Sequence, residues 1–354
     1  MSRPSYGPES LLGLGCYLSH LLEVERKCEP IDLRFEKLGL VLIDGFSSSL
    51  AERIGIEARR ISSTFPSSTA PAITTIFTAQ PPCTHRVVGE KVWSKELAGL
   101  INPLRYTYSA LKVSNELRDV KREKDLFRLR TFIAESKHVV TAVLPWWLSS
   151  SELTSTLYGG AEVVPCYNVW DCLHLFQTSL GKGTLTILYL NDVDVLSHKY
   201  GHGTKVVTSA AFQIVEQLRR MSSKIPVVLT SDHGFVDVEK RVFLDQDATL
   251  SQMLELPPFG EPRALFMNSR FDLKTFLYNR YPKLEVMSRE EVEAHQLMGQ
   301  CTDYSRLDFD YVAVPVDLSS YRYRLTEQDN ILFKGEHGGL TSEELEVPLV
   351  TLGG

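Results

Sequence analysis

No stretch of this chain approaches the roughly 20 consecutive apolar residues of a membrane-spanning helix, so no membrane association is expected. Positive charge is also in short supply. The 38 Lys and Arg residues are outnumbered by 44 Asp and Glu, and the net charge of -6 supplies no basic excess for holding phosphate backbones. Stable nucleic-acid binding is therefore not expected, whereas a small phosphorylated substrate remains compatible, because a bound metal adds local positive charge that a net count misses. Cysteine is sparse as well: six residues, with no CxxC pair, read as reduced buried thiols of a cytoplasmic protein. The apolar stretch 11–22 (LLGLGCYLSHLL) has little positive charge before it and no small-residue cleavage site, so it is not read as a secretion signal. Its Leu11, Leu14, Leu18, Leu21 and Leu22 share one helical face instead.

What is present is a set of short apolar runs, each ending in chemistry. The 354 residues suffice for one large α/β domain with an insertion, or for two domains. Pro226, Val227, Val228 and Leu229 form an unbroken run of the kind buried on both faces of a parallel sheet, and Asp232, His233 and Gly234 follow where the chain leaves it. The run 38–43 (LGLVLI) repeats the arrangement and ends in Asp44-Gly45. Further strands are expected at 139–144 (VVTAVL) and 184–190 (TLTILYL), with 204–221 as an amphipathic helix completing a βα unit. In open α/β sheets ligands bind outside the carboxyl ends of the strands. A turn-forming role for each Asp is the alternative that local sequence leaves open.

Between these runs lie other candidates. Pro66 blocks helix before it, so Thr69 is expected as the N-cap of a helix through Ala79, with its hydroxyl at the positive end of the helix dipole. Residues 92–137, including ELRDVKREKDLFRLR, read as a solvated charged helix. Trp146 and Trp147 follow a strand and are candidates to line a pocket, as is Trp93. Asp194 and His198 stand four apart, on one face of a helix, and His202 continues the spacing; Asp192 would point away. His337 lies in a glycine-rich loop before a final strand at 347–352. The regular alternation lapses over 239–330, which reads as an inserted cap beside the site, dividing the core into 1–238 and 331–354.

Together the strand-end loops offer Asp44, Thr69, Asp194, His198, Asp232, His233 and His337. Three carboxylates, three imidazoles and one hydroxyl suit two adjacent metal sites. The segments LVLIDGF at 40–46, FPSSTAPAITTIFTAQPPCTHRVVG at 65–89, YLNDVDVLSHKYG at 189–201, LTSDHG at 229–234 and GEHGG at 335–339 resemble, in order, the type I phosphodiesterase and nucleotide pyrophosphatase branch of the alkaline phosphatase superfamily. The resemblance implies an α/β fold with a mostly parallel central sheet, helices on both faces and an inserted cap. It further implies two divalent metal ions, zinc with manganese as the alternative. Asp44, Asp232 and His233 would hold one, bridged to the Thr69 oxygen, and Asp194, His198 and His337 would hold the other. Thr69 would attack phosphorus and form a phosphothreonine that water hydrolyses.

The reading that follows is a two-metal hydrolase of phosphodiester or nucleotide pyrophosphate bonds. A phosphomonoesterase or phosphonate hydrolase on the same core is the nearest rival, and a non-catalytic metal-containing binding module is the rival from another class. Sulfatase is excluded by Thr69, which cannot become formylglycine. The chain departs from the family pattern at Ala79-Gln80, where Thr-Gly is usual, and at Arg86 after His85. Eukaryotic-type nucleotide pyrophosphatases carry a phosphate-contacting Asn shortly after that His, at a place that corresponds here to the neighbourhood of Glu90. His202 reads as supporting rather than ligating, and His85 as structural.

Overall fold

The computed structural model describes residues 2–109, 116–127, 129–221 and 225–353. Seven strands form the central sheet, numbered here in chain order: β1 (Leu38–Ile43), β2 (Arg59–Ser62), β3 (Val140–Pro145), β4 (Glu162–Cys166), β5 (Leu185–Leu190), β6 (Val227–Thr230) and β7 (Glu346–Leu352). Their spatial order is β2-β7-β6-β1-β5-β3-β4. All pairings are parallel except the two made by β7, which runs against β2 and β6. The sheet is thus mostly parallel, in the α/β class.

Every residue of β1, β3, β5 and β6 is buried, which is why these strands read as unbroken apolar runs. Their side chains alternate between two cores. Leu40, Leu42, Ile187 and Val228 pack with the helices Leu11–Leu21 and Thr69–Thr78, while Val41, Ile43, Leu188 and Leu229 pack with Val169–Ser179 and Lys205–Arg220. The edge strands β2 and β4 escaped the sequence reading for the complementary reason. Each is partly exposed, and β4 contains Pro165, which an edge tolerates.

Two expectations are corrected. Residues 92–137 are not one solvated helix: Val92–Ser94, Gly99–Asn102 and Thr107–Tyr108 form a three-stranded antiparallel sheet, followed by the short helices Glu123–Leu126 and Phe132–Glu135. Residues 110–115 and 128 of that stretch lie outside the described residues. Gly99 and Pro103 break helix where charge alone suggested it, and Leu117, Leu126 and Phe127 are buried in the larger core. The second correction concerns cysteine. Cys16 is bonded to Cys28 and Cys166 to Cys172, so only Cys83 and Cys301 are free thiols. Spacing gave no hint, since each pair joins a residue within a helix, Cys16 or Cys172, to one outside it.

Residues 240–323 carry a separate four-stranded antiparallel sheet of Phe259–Glu261, Ala264–Met267, Tyr311–Pro315 and Leu284–Ser288, in that spatial order. It has its own core, with Leu250, Leu265, Leu273, Leu277 and Val286. It is tied to the central sheet's domain through the larger core, which Phe259, Phe266 and Val312 join, and through polar links. Gly260 and Lys91 exchange backbone hydrogen bonds of 2.8 and 3.3 Å, and the fully buried Arg263 meets Glu344 at 2.7 and 3.0 Å. Among the described residues no helix is long and apolar enough to cross a membrane.

Candidate active site

The register of the three central strands assembles the site. Ile43 stands opposite Leu190 and Leu42 opposite Thr230, so β1, β5 and β6 end level with one another. Asp44, the helix Asp192–Tyr200 and the Asp232-His233 pair therefore emerge side by side. At the turn after β1, Gly45 has φ +73°, and a Cβ there would come within 2.5 Å of Phe235 and 3.2 Å of the Asp194 backbone. Only glycine permits so close an approach.

Six of the seven candidate residues, Asp44, Thr69, Asp194, His198, His233 and His337, meet directly through short distances. Thr69 Oγ1 lies 3.5 Å from Asp44 Oδ1 and 3.2 Å from His233 Nε2. His233 Nε2 is 3.3 Å from Asp44 Oδ1 and 3.8 Å from Asp232 Oδ2, which brings in the seventh. The potential ligand atoms of Asp194, His198 and His337 all lie within 4.8 Å of one another, and so do those of Asp44, Asp194 and His233. Asp194 thus stands within reach of both groups, where the resemblance assigned it to one. Asp44, Asp232 and His233 are buried, while Thr69, Asp194, His198 and His337 border a cleft of about 880 Å³.

Thr69 is the first residue of its helix, and Ser68 is the N-cap. The expected capping role is corrected accordingly. Ser68 itself does not cap, because its hydroxyl donates to Glu261. The amides of Thr69 and Ala70 have no acceptor within the helix, and Pro71 has no amide at all, which leaves a donor-rich, positive helix end beside the hydroxyl.

All three imidazoles are held in one tautomer. His233 Nδ1 meets the Gly234 carbonyl at 3.0 Å, His198 Nδ1 the Gly335 carbonyl at 2.9 Å, and His337 Nδ1 the Ser67 carbonyl at 3.2 Å. A carbonyl only accepts, so each Nδ1 carries a proton, and each Nε2 is the nitrogen left to ligate once it gives up any proton of its own. Asp232 Oδ1 accepts from the amides of Gly45 and His233, at 3.2 and 2.9 Å. Its Oδ2, like Asp194 Oδ1, is buried with no hydrogen-bond partner. Orphaned carboxylate oxygens facing imidazole lone pairs are a shape that a cation completes.

Electrostatics say the same. Burial above all, with a neighbouring carboxylate adding to it and His233 opposing it, pushes Asp194 and Asp232 up to about 7. Burial opposes a charge on His233, yet the combined pull of Asp232 and Asp44 raises it to about 10. Burial and the nearby His233 lower His198 and His337. The cluster is short of positive charge, which divalent cations would supply. The residues present fit them in donor type, tautomer and orphaned valence.

Other candidates are placed elsewhere. His202 bonds Ser47 and Ser197 through its two nitrogens and stacks on Phe235, away from the ligand atoms. His85 is buried, with Nε2 3.0 Å from Thr75 Oγ1 on the helix that begins at Thr69. Trp147 borders the cleft, whereas Trp93 packs against the larger core. Glu90 lines the cleft, accepts from Asn102 Nδ2 and donates its amide to Glu261. Sequence reasoning missed Tyr189, which donates to Asp44, and Phe235, whose ring sits 4.9, 5.5 and 5.1 Å from His198, His233 and His337. It also missed Glu261. Phe235 adjoins the DHG motif and could have been found from it; Tyr189 and Glu261 carried no signal.

A mostly parallel sheet gathers carboxylates, imidazoles and a helix-end hydroxyl at its carboxyl edge, the groups and the place that the motif resemblance implies. The profile of the type I phosphodiesterase / nucleotide pyrophosphatase family matches residues 40–330, well over half of the chain. The protein belongs to that family and is by class a phosphoester hydrolase. No curated protein matches it. Among solved structures it is similar to murine ectonucleotide pyrophosphatase / phosphodiesterase 5, in an inactive threonine-to-alanine form complexed with AMP, at 17% identity and TM-score 0.64 over 90% of this chain and 88% of that one. It is likewise similar to phosphonoacetate hydrolase from Sinorhizobium meliloti in complex with phosphonoformate, at 17% identity and TM-score 0.63 over 89% of each chain. These likenesses are of fold.

Proposed function

We propose that the protein hydrolyses phosphodiester or nucleotide pyrophosphate bonds of small substrates, with Thr69 as nucleophile. One observation carries the reading: the Thr69 hydroxyl stands at a helix N-terminus, 3.5 and 3.2 Å from Asp44 and His233, inside a cluster with two orphaned carboxylate oxygens. Asp44, Asp232 and His233 would hold one divalent cation beside Thr69, and Asp194, His198 and His337 the other, with Asp194 near enough to serve both. Zinc suits this nitrogen and oxygen donor set, with manganese as the alternative; such ions lower the pKa of a bound hydroxyl and neutralise phosphoryl charge.

The chain's own residues then do the rest. Asp44 Oδ1 orients the Thr69 hydroxyl, and the Thr69 and Ala70 amides receive a phosphoryl oxygen. Attack of Oγ1 on phosphorus forms a phosphothreonine and releases the leaving group; water cleaves the phosphothreonine and restores the hydroxyl. Ile73, Leu148, Leu153 and Trp147 give the cleft an apolar wall for an organic substituent. Glu90 and Glu261, which also line it, disfavour added negative charge, while Lys91 and Arg322 are each tied to a carboxylate, Asp329 and Glu336. That charge pattern favours a singly charged diester over a dianionic monoester.

The test compares rates on an activated diester and the matching monoester, with chelator and then with added zinc. The diester is expected to react faster, to stop with chelator and to recover with zinc. Thr69→Ala should keep fold and metal and lose at least about a thousandfold in turnover, the scale of a missing nucleophile. Undiminished hydrolysis in that variant would remove Thr69 from the mechanism. A cytoplasmic location no longer follows from the cysteines, because two disulfides are more usual where the surroundings oxidise.

A further inference from the structure

Ser68 stands where a serine ordinarily caps a helix, yet it does not cap. Its backbone is extended, at φ -145° and ψ 156°, and the helix Thr69–Thr78 begins at the next residue. Ser10, Ser47, Ser151 and Ser288 hold the same position on other helices, and each accepts from the amide three residues on. Ser68 has no such partner, because residue 71 is proline. The one amide left for it to cap is that of Ala70.

The Ser68 hydroxyl is instead drawn to another element. It donates to Glu261 Oε1, which also accepts the Glu90 amide at 2.7 Å. Ser68 and Glu261 are both buried, so water does not compete for the bond. Glu261 is itself fixed from several sides. Its strand pairs with Ala264–Met267, Gly260 exchanges backbone bonds with Lys91, and Gly338 lies so near that a Cβ there would come within 2.6 Å of Glu261 Cβ. Ala70, meanwhile, is fully buried, and among the described residues its amide has no acceptor. A buried donor left open in this way is a place for a ligand oxygen.

We propose that Glu261 is a positioning residue: from the four-stranded unit it holds the Ser68 hydroxyl off the end of the Thr69 helix and so keeps the Ala70 amide open to a phosphoryl oxygen. This rests on the reading above, in which the Thr69 and Ala70 amides receive that oxygen. Glu261 touches no reacting atom. Without it Ser68 turns onto the Ala70 amide, and the substrate has to displace a capping hydrogen bond before its oxygen can bind. The four-stranded unit thereby sets the donor end of the helix that carries the nucleophile.

Two measurements on the full-length protein with zinc test this: hydrogen exchange of the Ala70 amide in 15N-alanine-labelled protein, and kcat/KM on the activated diester. Glu261→Ala should slow exchange at Ala70 and lower kcat/KM about fivefold, the size of an N-cap hydrogen bond. Adding Ser68→Ala should undo both changes, so that the double variant matches Ser68→Ala alone. Glu261→Gln, which keeps an acceptor oxygen, should show less of either change than Glu261→Ala. Glu261→Met, similar in length and without an acceptor, repeats the cycle if the alanine variant does not fold. A merely structural Glu261 gives no rescue, because a second truncation does not rebuild a damaged seam. A loss of rate that Ser68→Ala fails to restore overturns the proposal. If exchange at Ala70 does not respond, the proposal falls alone; if exchange responds and the rate does not, it falls together with the reading that the Ala70 amide receives the phosphoryl oxygen.

Discussion

Ser68, Glu90 and Glu261 show how much of the site depends on single side chains that no motif contains. Ser68 precedes Thr69 and gives its hydroxyl to Glu261, so the helix end stays open; Glu90 gives its amide to the same carboxylate. Burial, with the Glu90 charge beside it, pushes Glu261 up to about 8, a sign that this corner of the cleft resists further negative charge. Replacing Glu90 by Asn should relieve that resistance. One unit charge at about 7 Å in surroundings of effective dielectric near 20 is worth roughly 2 kcal/mol, so the monoester rate relative to the diester is expected to rise about tenfold or more. An unchanged ratio of kcat/KM values would show that Glu90 does not face the reacting phosphate. His85 offers a second residue-scale test. Burial lowers it to about 3, far below the ordinary 6.5, so the native state refuses a proton that the unfolded chain accepts. Stability from this group is complete above about pH 6.5 and declines by about 1.4 kcal/mol per pH unit as pH falls towards 3. In His85→Gln, denaturant titrations at pH 6 and pH 5 should differ by about 1 kcal/mol less than in the wild type.

At the scale of elements, the loop carrying His337 depends on the four-stranded unit more than on its own glycines. Its Glu336 is bound by Ser320 and Arg322, and Glu344, which accepts the Gly339 amide at 2.8 Å, is bound by Arg263. Arg263 also donates to the carbonyls of Asp317 and Ser319, at 3.1 and 2.6 Å, so its guanidinium is satisfied throughout its burial. Arg263→Ala would leave a buried carboxylate uncompensated, at a cost of about 3–5 kcal/mol. Urea unfolding should show that loss, and at permissive temperature the variant should release metal more readily than Glu90→Asn does. None of this was legible in the sequence. Asp44, Asp194, His198, Asp232 and His233 were, because buried parallel strands print themselves as apolar runs and their loops follow at once. An ion pair between residues 263 and 344 has no local signature, and neither do the bridges Cys16–Cys28 and Cys166–Cys172. The sheet at 92–108 was hidden for a related reason: its short strands are joined by tight turns, and charge density nearby mimicked a helix.

For the whole molecule, the site is the place where folding and chemistry oppose each other. The central sheet brings Asp44, Asp194 and Asp232 together at the ends of β1, β5 and β6, and burial leaves two of their oxygens without partners. Without cations that crowding stores like-charge repulsion in the native state only, since the unfolded chain keeps the three acids apart in water. Cations that bind the folded form alone stabilise it by mass action, about 2.7 kcal/mol for each site at a hundredfold excess over its Kd. Chelator should therefore lower the melting temperature of the wild type, and zinc should restore it. Asp232→Asn separates the two contributions. It removes one charge from the crowd, so the metal-free variant should melt at or above the metal-free wild type, yet zinc should raise it far less. If chelator leaves the wild type's melting temperature unmoved, or if Asp232→Asn keeps the full response to zinc, the cluster is not the cation site that its orphaned oxygens describe.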